Sequence, residues 1–459
     1  MTDEEIEKSS VRRLDVFVAP EPSPRLIKAL VPVNRVLCLG GVPGLRALPM
    51  VGRLPGIRGL SDIRTIDFPE DDEARLRAAL APENATFVTP NHPEFFTDWM
   101  LDKEVLARSA PLAACWATNS IVNGMGALAQ RFWLKNNLIA QIPGVGGGAA
   151  KAHSIAWAAK GHGVLLHPEG TVGWHGDRIG RLYPGAVEMA AAAWAARRGV
   201  STTGRALVQP VLWKMVFIED AMDGLHRELA HVERQLDIPS VEAPLADRLL
   251  GAHRTLLTRD AETWQLSKPA DASFGDQQRQ VLGRLGDRLR QALGTDIATD
   301  LSGDADPEPR MRPLVRAADR ALRASEGFAK DRRPEIKGLT ETIRRLLRFR
   351  PSLYPGQELT QEHLAETLKR LRGDYCTATF ADRVDKMVPR PAAPRIAFIR
   401  VPEALDISAA LGDGDTLSED QLDTIVDLLR TLMQATLDGI NAMAAAVPRT
   451  RGVINVFNS

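Results

Sequence analysis

The stretch Thr86-Phe87-Val88-Thr89-Pro90-Asn91-His92-Pro93-Glu94-Phe95-Phe96-Thr97-Asp98 decides how this chain is read. It opens as a short apolar, β-branched run that suits a strand over Thr86–Thr89, breaks at proline and asparagine, and resumes as a helix over Thr97–Ala107. A histidine just past a strand end, with a carboxylate a short distance on, is placed to have its ring oriented by that carboxylate and to take a proton from a hydroxyl. Taken alone, such a pair is weak evidence, because a histidine at a strand end commonly does structural work. What accompanies it therefore matters.

Working outward, short apolar runs alternate with longer helical stretches from about residue 63 to 240, the signature of an α/β unit. Strands are predicted at Thr86–Thr89, Leu138–Ile142, Val164–Leu166 and Ala206–Val216, and helices at Glu73–Leu80, Thr97–Ala107, Ile121–Leu134, Ala150–Lys160 and Ala186–Arg198. The last helix is nearly all alanine on one side, which suits close packing against a sheet. The strand Val164–Leu166 runs into His167-Pro168-Glu169-Gly170-Thr171, a polar turn whose backbone N–H groups and threonine hydroxyl can hold an anionic or polyhydroxyl group. Tyr183-Pro184-Gly185-Ala186 and the strand containing Gln209-Pro210-Val211-Leu212 follow in order.

Together these four blocks, over about residues 86–215, resemble the glycerolipid acyltransferase family, in which an N-H-x-x-x-x-D motif, an E-G-T motif, a P-G-A helix start and a late apolar strand with proline recur in this order. The resemblance implies a mixed sheet flanked by helices. It also implies acyl transfer from acyl-CoA or acyl carrier protein to a hydroxyl of a lysophospholipid or glycerol-phosphate-like acceptor. By it, His92 removes the acceptor proton and Asp98 fixes the tautomer and stabilises the imidazolium. Glu169, Gly170 and Thr171 hold the acceptor. The acyl group passes directly, with no bound cofactor, no metal and no acyl-enzyme.

Three departures accompany the resemblance. His92 and Asp98 are separated by five residues where the family has four, so the relay needs a bulge or a different partner, with Glu94 and Asp102 as substitutes. Val172 stands where arginine usually follows E-G-T, leaving Arg178 or Arg181 to supply the cation. No clean G-x-x-F-I-x-R block lies between the two motifs; the glycine-rich stretch 144–150 opening a helix, with Lys151 as counter-charge, is its nearest replacement.

The rest of the chain bounds these readings. With 58 basic and 58 acidic residues, no overall field draws nucleic acid. The three cysteines, far apart and without C-x-x-C spacing, suggest neither a disulfide framework nor a cysteine metal site, and fit a reducing, cytoplasmic compartment. Cys115, among apolar neighbours, reads as a small core residue. The acidic start does not read as a secretion signal. From Arg25 to Ser61 there are six basic residues and no acidic one, interleaved with apolar side chains; this suits a peripheral position on the inner membrane face or, equally, a core-covering segment with solvated arginines. Residues 310–350 carry thirteen basic against five acidic residues, another anionic-surface candidate or a solvated helix face.

The expected organisation is an N-terminal interfacial segment (1–62), an acyltransferase domain (63–240) and a mainly helical region of unassigned role (241–459). In that region Ser418 and Gln421 form a capping box ahead of a long helix, and Arg395–Val401 reads as a strand that could join a sheet. Two rivals stand beside the enzyme. One is a non-catalytic lipid-binding protein on the same fold. The other is a metal hydrolase, raised by five histidines between residues 92 and 175, although no H-E-x-x-H spacing is present.

Overall fold

A computed structural model describes the chain except residues 1–15, 49, 52–53, 142–146, 174, 199–203, 302, 304–305, 324–331, 389, 413, 448–451 and 458–459. The strands are β1 (Ile63–Asp67), β2 (Ala85–Pro90), β3 (Ala114–Thr118), β4 (Leu138–Gln141), β5 (Val164–Leu165), β6 (Ala206–Phe217), β7 (Glu358–Leu359), β8 (Arg395–Arg400), β9 (Leu405–Asp406) and β10 (Val453–Ile454). The chain divides into two compact units. One comprises Met1–Ile218 with Pro394–Pro448, the other Glu219–Ala393 with Arg449–Ser459. This division crosses the expected boundary after residue 240, because residues 394–448 return to the first unit. The expected N-terminal segment, where described, belongs to that unit as well.

The first unit is built on an eight-stranded mixed sheet in the order β1-β8-β6-β2-β5-β3-β4, with β9 beside β6. Strands β2 to β6 run parallel. The long strand β6 is the seam: Ala206–Val211 pair parallel with β2, and Leu212–Phe217 pair antiparallel with β8. Both faces of the parallel part are covered, so its strands carry apolar side chains on both sides. Phe87, Val164, Ala206 and Val208 point to one face, against the helices Gly147–Ala159, Gly185–Arg198 and Glu419–Ala445. Val88, Leu165, Val211 and Trp213 point to the other, against Glu70–Ala79 and Phe95–Ser109.

The alanine-rich helix behaves as its sequence predicts, burying Ala186, Ala190, Ala191 and Ala193. The capping box at Ser418 and Gln421 opens a helix running to Ala445. One expected element breaks. In place of a single helix over Ile121–Leu134 there are two, Asn119–Val122 and Ala127–Lys135, separated at Gly126, whose φ of 87° lies outside helical space. The start of the glycine-rich stretch, residues 144–146, and the predicted strand end at Ile142 lie outside the described residues.

Two features of this topology position the site. Neighbouring parallel strands β2 and β5 lead into helices on opposite faces, Phe95–Ser109 and Gly185–Arg198, so their carboxyl ends form a topological switch point, the usual place for a ligand in an open α/β sheet. The N-terminal segment then packs on the first of those helices. Asn34 Nδ2 donates to the Met100 carbonyl at 2.9 Å, and Arg35 pairs with the buried Glu104 at 2.8 Å. The helix Pro24–Val33 contains Pro32 and continues into a π-helical turn over Asn34–Gly40.

Among the described residues the second unit is mainly helical between Met222 and Met387, and β7 pairs antiparallel with β10 from the end of the chain. At its centre His253 is 9% exposed and stacks on Phe349 with ring centroids 4.0 Å apart, with Phe274 and Phe457 edge-on.

Candidate active site

His92 follows β2 by two residues, and Asn91 shapes the exit. The Asn91 side chain accepts from the Trp213 N–H (2.9 Å) and donates to the Trp213 carbonyl (2.8 Å), standing in for one more ladder pair with β6 while the backbone turns away. Glu94 is extended (φ −136°, ψ 148°), and the helix starts at Phe95. Asp98 therefore lies in the first turn, and its Oδ2 reaches back to accept both from His92 Nδ1 (2.9 Å) and from the Glu94 N–H (2.7 Å). Its Oδ1 accepts from the Trp213 indole N–H at 3.0 Å.

The additional residue between His92 and Asp98 is thus absorbed by the extended Pro93-Glu94 segment, and no substitute partner is needed. Glu94 is engaged elsewhere, in a buried two-oxygen pair with Arg395 (2.9 and 3.0 Å), whose guanidinium also donates to the Ser61 carbonyl. Asp102 belongs to a second histidine. His167 Nε2 lies 3.1 Å from Asp102 Oδ2 and its Nδ1 lies 3.0 Å from the Asn91 carbonyl. The His167 and His92 rings stack, with centroids 3.9 Å apart and planes 17° from parallel.

The electrostatics follow from burial and partners. Burial, then the neighbouring His167, holds the His92 imidazole well below the ordinary histidine range, so the ring is neutral at pH 7. With Nδ1 donating to Asp98, the lone pair is left on Nε2, which has no hydrogen-bond partner among the described residues. Burial pushes the Asp98 carboxyl up, opposed by the N–H groups of Glu94 and Trp213. His167 is raised despite burial, which alone would lower it, because Asp102 and the Asn91 carbonyl favour its protonated form.

Glu169 is 8% exposed, and both its oxygens are taken by backbone N–H groups, Oε1 by His92 (2.9 Å) and Oε2 by Gly180 (2.8 Å). Its visible work is to fasten the His92 loop to the loop that follows β5. The Gly173 N–H donates to the His92 carbonyl at 2.8 Å and closes the same arrangement. Gly170 has φ +70°, and a Cβ there would meet the Tyr183 ring at 2.9 Å. Gly170 and Thr171 are exposed beside this fastening.

The expected cations lie at the surface. Arg178 and Arg181 flank Gly180 and are exposed, with the Arg181 guanidinium 5.3 Å from the Tyr183 ring centroid. Lys151 is spent on Glu188, at 2.9 Å between two helices, so its ammonium is already neutralised. Cys115 is a buried core residue on β3, its thiol pushed up by burial. Among the described residues no group of three or more histidine, cysteine, aspartate and glutamate side chains could hold a metal ion.

No family model matches the chain, and a search of curated proteins finds no match either. The site therefore rests on its geometry.

Sequence reasoning found the His92–Asp98 pair and the Glu169 turn, but not the His167–Asp102 pair. A signal existed. Asp98 and Asp102 lie one turn apart among Met100, Leu101 and Val105, and with Glu104 they make three buried carboxylates on one helix, each of which requires a partner. The structural parts played by Asn91, Trp213 and Arg395 carried no local signal.

Proposed function

We propose that the chain is an acyltransferase of the glycerolipid type, moving a fatty acyl group from a thioester of coenzyme A or of acyl carrier protein to a hydroxyl of a lysophospholipid or glycerol-phosphate-like acceptor. The observation that carries this reading is the geometry of His92, its Nδ1 held by the buried Asp98 and its Nε2 unpartnered among the described residues, at the switch point of the sheet. The acceptor hydroxyl gives its proton to Nε2 as its oxygen attacks the thioester carbonyl. Asp98 stabilises the imidazolium formed. The tetrahedral intermediate then collapses with departure of the thiolate, which takes the proton back from Nε2, leaving an ester and a free thiol. No acyl-enzyme is needed, because the base serves the acceptor directly.

A lipid-like acceptor is supported by the surface of the N-terminal segment. Val33, Val36, Leu37, Leu45, Leu48, Met50 and Leu54 are exposed, Met50 to 82%, and the exposed cations Arg25 and Lys28 accompany them. Apolar side chains with cations and no anions suit an anionic membrane surface. No described helix is long and apolar enough to cross a membrane.

The test is transfer of a radiolabelled acyl group from acyl-CoA or acyl carrier protein to a panel of lysophospholipids and glycerol 3-phosphate. The expected result is an ester product from the wild type and a loss of about 10²–10⁴-fold in His92→Ala. Equal rates in the two proteins, or lipid binding without any transfer, would overturn the reading in favour of a non-catalytic lipid-binding protein.

A further inference from the structure

We propose that His167 is a standing imidazolium whose positive charge keeps the stacked His92 ring unprotonated, so that His167 and Asp102 form a positioning pair serving the base. The inference rests on the reading of His92 as a base, and deepens it.

The hydrogen-bond pattern is what an imidazolium requires, and a neutral ring meets it only if Asp102 carries the proton instead. A neutral imidazole carries one N–H and one lone pair. Both His167 nitrogens face oxygens: Nδ1 the Asn91 carbonyl at 3.0 Å, which can only accept, and Nε2 the Asp102 carboxyl at 3.1 Å. With Asp102 ionised, both nitrogens must carry hydrogen. Asp102 is 2% exposed and its second oxygen has no hydrogen-bond partner, so this buried carboxylate has the imidazolium as its counter-charge.

The stacking gives the purpose. With centroids 3.9 Å apart, a proton on His92 would put two like charges face to face inside the protein, so the stack favours a single positive charge, carried by His167. Each ring has its own carboxylate on the same helix, but their partners differ. His167 is closed on both nitrogens, whereas His92 is closed only on Nδ1. Three further titratable groups lie nearby: Glu94, Glu169, which also favours the charged His167, and His175, which borders Gly173 in the loop after β5. Glu169 from the loop after β5 meets the His92 backbone N–H, and Glu94 is held by Arg395 of β8. The two rings are displaced in opposite directions: the oxygens around His167 raise it against the effect of burial, whereas burial and the neighbouring His167 lower His92.

The test is a histidine-ring NMR titration of the full chain, with signals assigned by His92→Gln and His167→Phe. In the wild type at neutral pH, His167 should carry a proton on both nitrogens and His92 on one only. Replacing the pair without leaving a bare carboxylate, in His167→Phe with Asp102→Asn, should move the His92 titration upward by about 1 pH unit or more, and the acid limb of kcat/KM should move with it. A His167 carrying a single proton at neutral pH, or a His92 titration unmoved by the double substitution, would overturn the proposal. If the double variant does not fold, the proton count of wild-type His167 decides alone. The titration needs no acyl transfer, so an inactive protein with a protonated His167 would sink the reading of the reaction and leave this one standing.

Discussion

Asp98 receives three N–H donors on two oxygens, from His92, Glu94 and Trp213, and each depends on its being an acceptor only. An asparagine in its place must turn an NH2 toward one of those donors. Asp98→Asn is therefore expected to cost about 10²–10⁴-fold in kcat by releasing the wrong tautomer of His92, with KM for the acceptor little changed; steady-state kinetics at saturating acyl donor checks this. A second expectation concerns pH. Because the folded His92 is held below its ordinary value, the basic form persists as the medium is acidified, and kcat/KM should begin to fall only below the ordinary histidine value of about 6.5. A rate profile from about pH 4 to 8 would show the acid limb displaced to low pH; a midpoint at or above 6.5 would contradict it. At this scale the sequence was informative where chemistry is local. His92, Asp98 and Glu169 could be picked out from their strand exits, and the irregular spacing proved harmless because an extended Glu94 absorbs one residue. The duty of Glu169 was not legible, since its partners are backbone amides of residues 92 and 180, brought together only by the adjacency of β2 and β5.

At the scale of elements, the loop between β5 and the alanine-rich helix is held from the far end of the chain. Gln434 accepts from the Ile179 N–H at 2.8 Å and donates to the Asp177 carbonyl, and Asn441 donates to the same carbonyl and accepts from the buried Lys214, which also pairs with Asp177. Gly180, whose N–H meets Glu169, follows directly. Cutting these ties in Gln434→Ala with Asn441→Ala is expected to lower kcat/KM about tenfold through a loosened Gly180, while the helix, whose core contacts Leu429, Met433, Leu437 and Ile440 are untouched, keeps its helicity. Kinetics together with far-ultraviolet circular dichroism separates the two effects. The helix itself was legible from its capping box and apolar face. That it braces a loop some 250 residues earlier was not, since no pattern within one helix reports which element its polar side chains will meet. Strand β8 shows the same limit: its strand character could be read from Arg395–Val401, but its place between β1 and β6 could not.

At the scale of the whole molecule, each unit carries its own expectation. In the first, replacing Leu48, Met50 and Leu54 by serine removes exposed apolar surface without touching the core, and should abolish sedimentation with vesicles containing anionic lipid while leaving the melting temperature within a few degrees. Undiminished vesicle binding would show that the segment is not the docking face. In the second unit, burial among three phenylalanines, with Arg370 adding, lowers the His253 titration to about 3. The unfolded chain takes up that proton near 6.5 and the folded unit does not, so this residue's contribution is intact above 6.5 and is lost as pH falls from there toward 3, by up to about 5 kcal/mol. Denaturant unfolding at pH 7 and pH 4.5 should therefore show a smaller acid-induced loss in His253→Phe than in the wild type.

The return of the chain at Pro394 has a consequence for biosynthesis. Leu212–Phe217 leave the ribosome early, yet the strand that pairs with them, Arg395–Arg400, is translated only after residues 219–393. At about 5–20 residues per second, this apolar edge waits roughly 10–35 s for its partner. During that interval Met215, Val216 and Phe217 present an unpaired ladder to the crowded nascent environment, so the folding yield of the first unit depends on how the ribosome-proximal machinery shelters that edge.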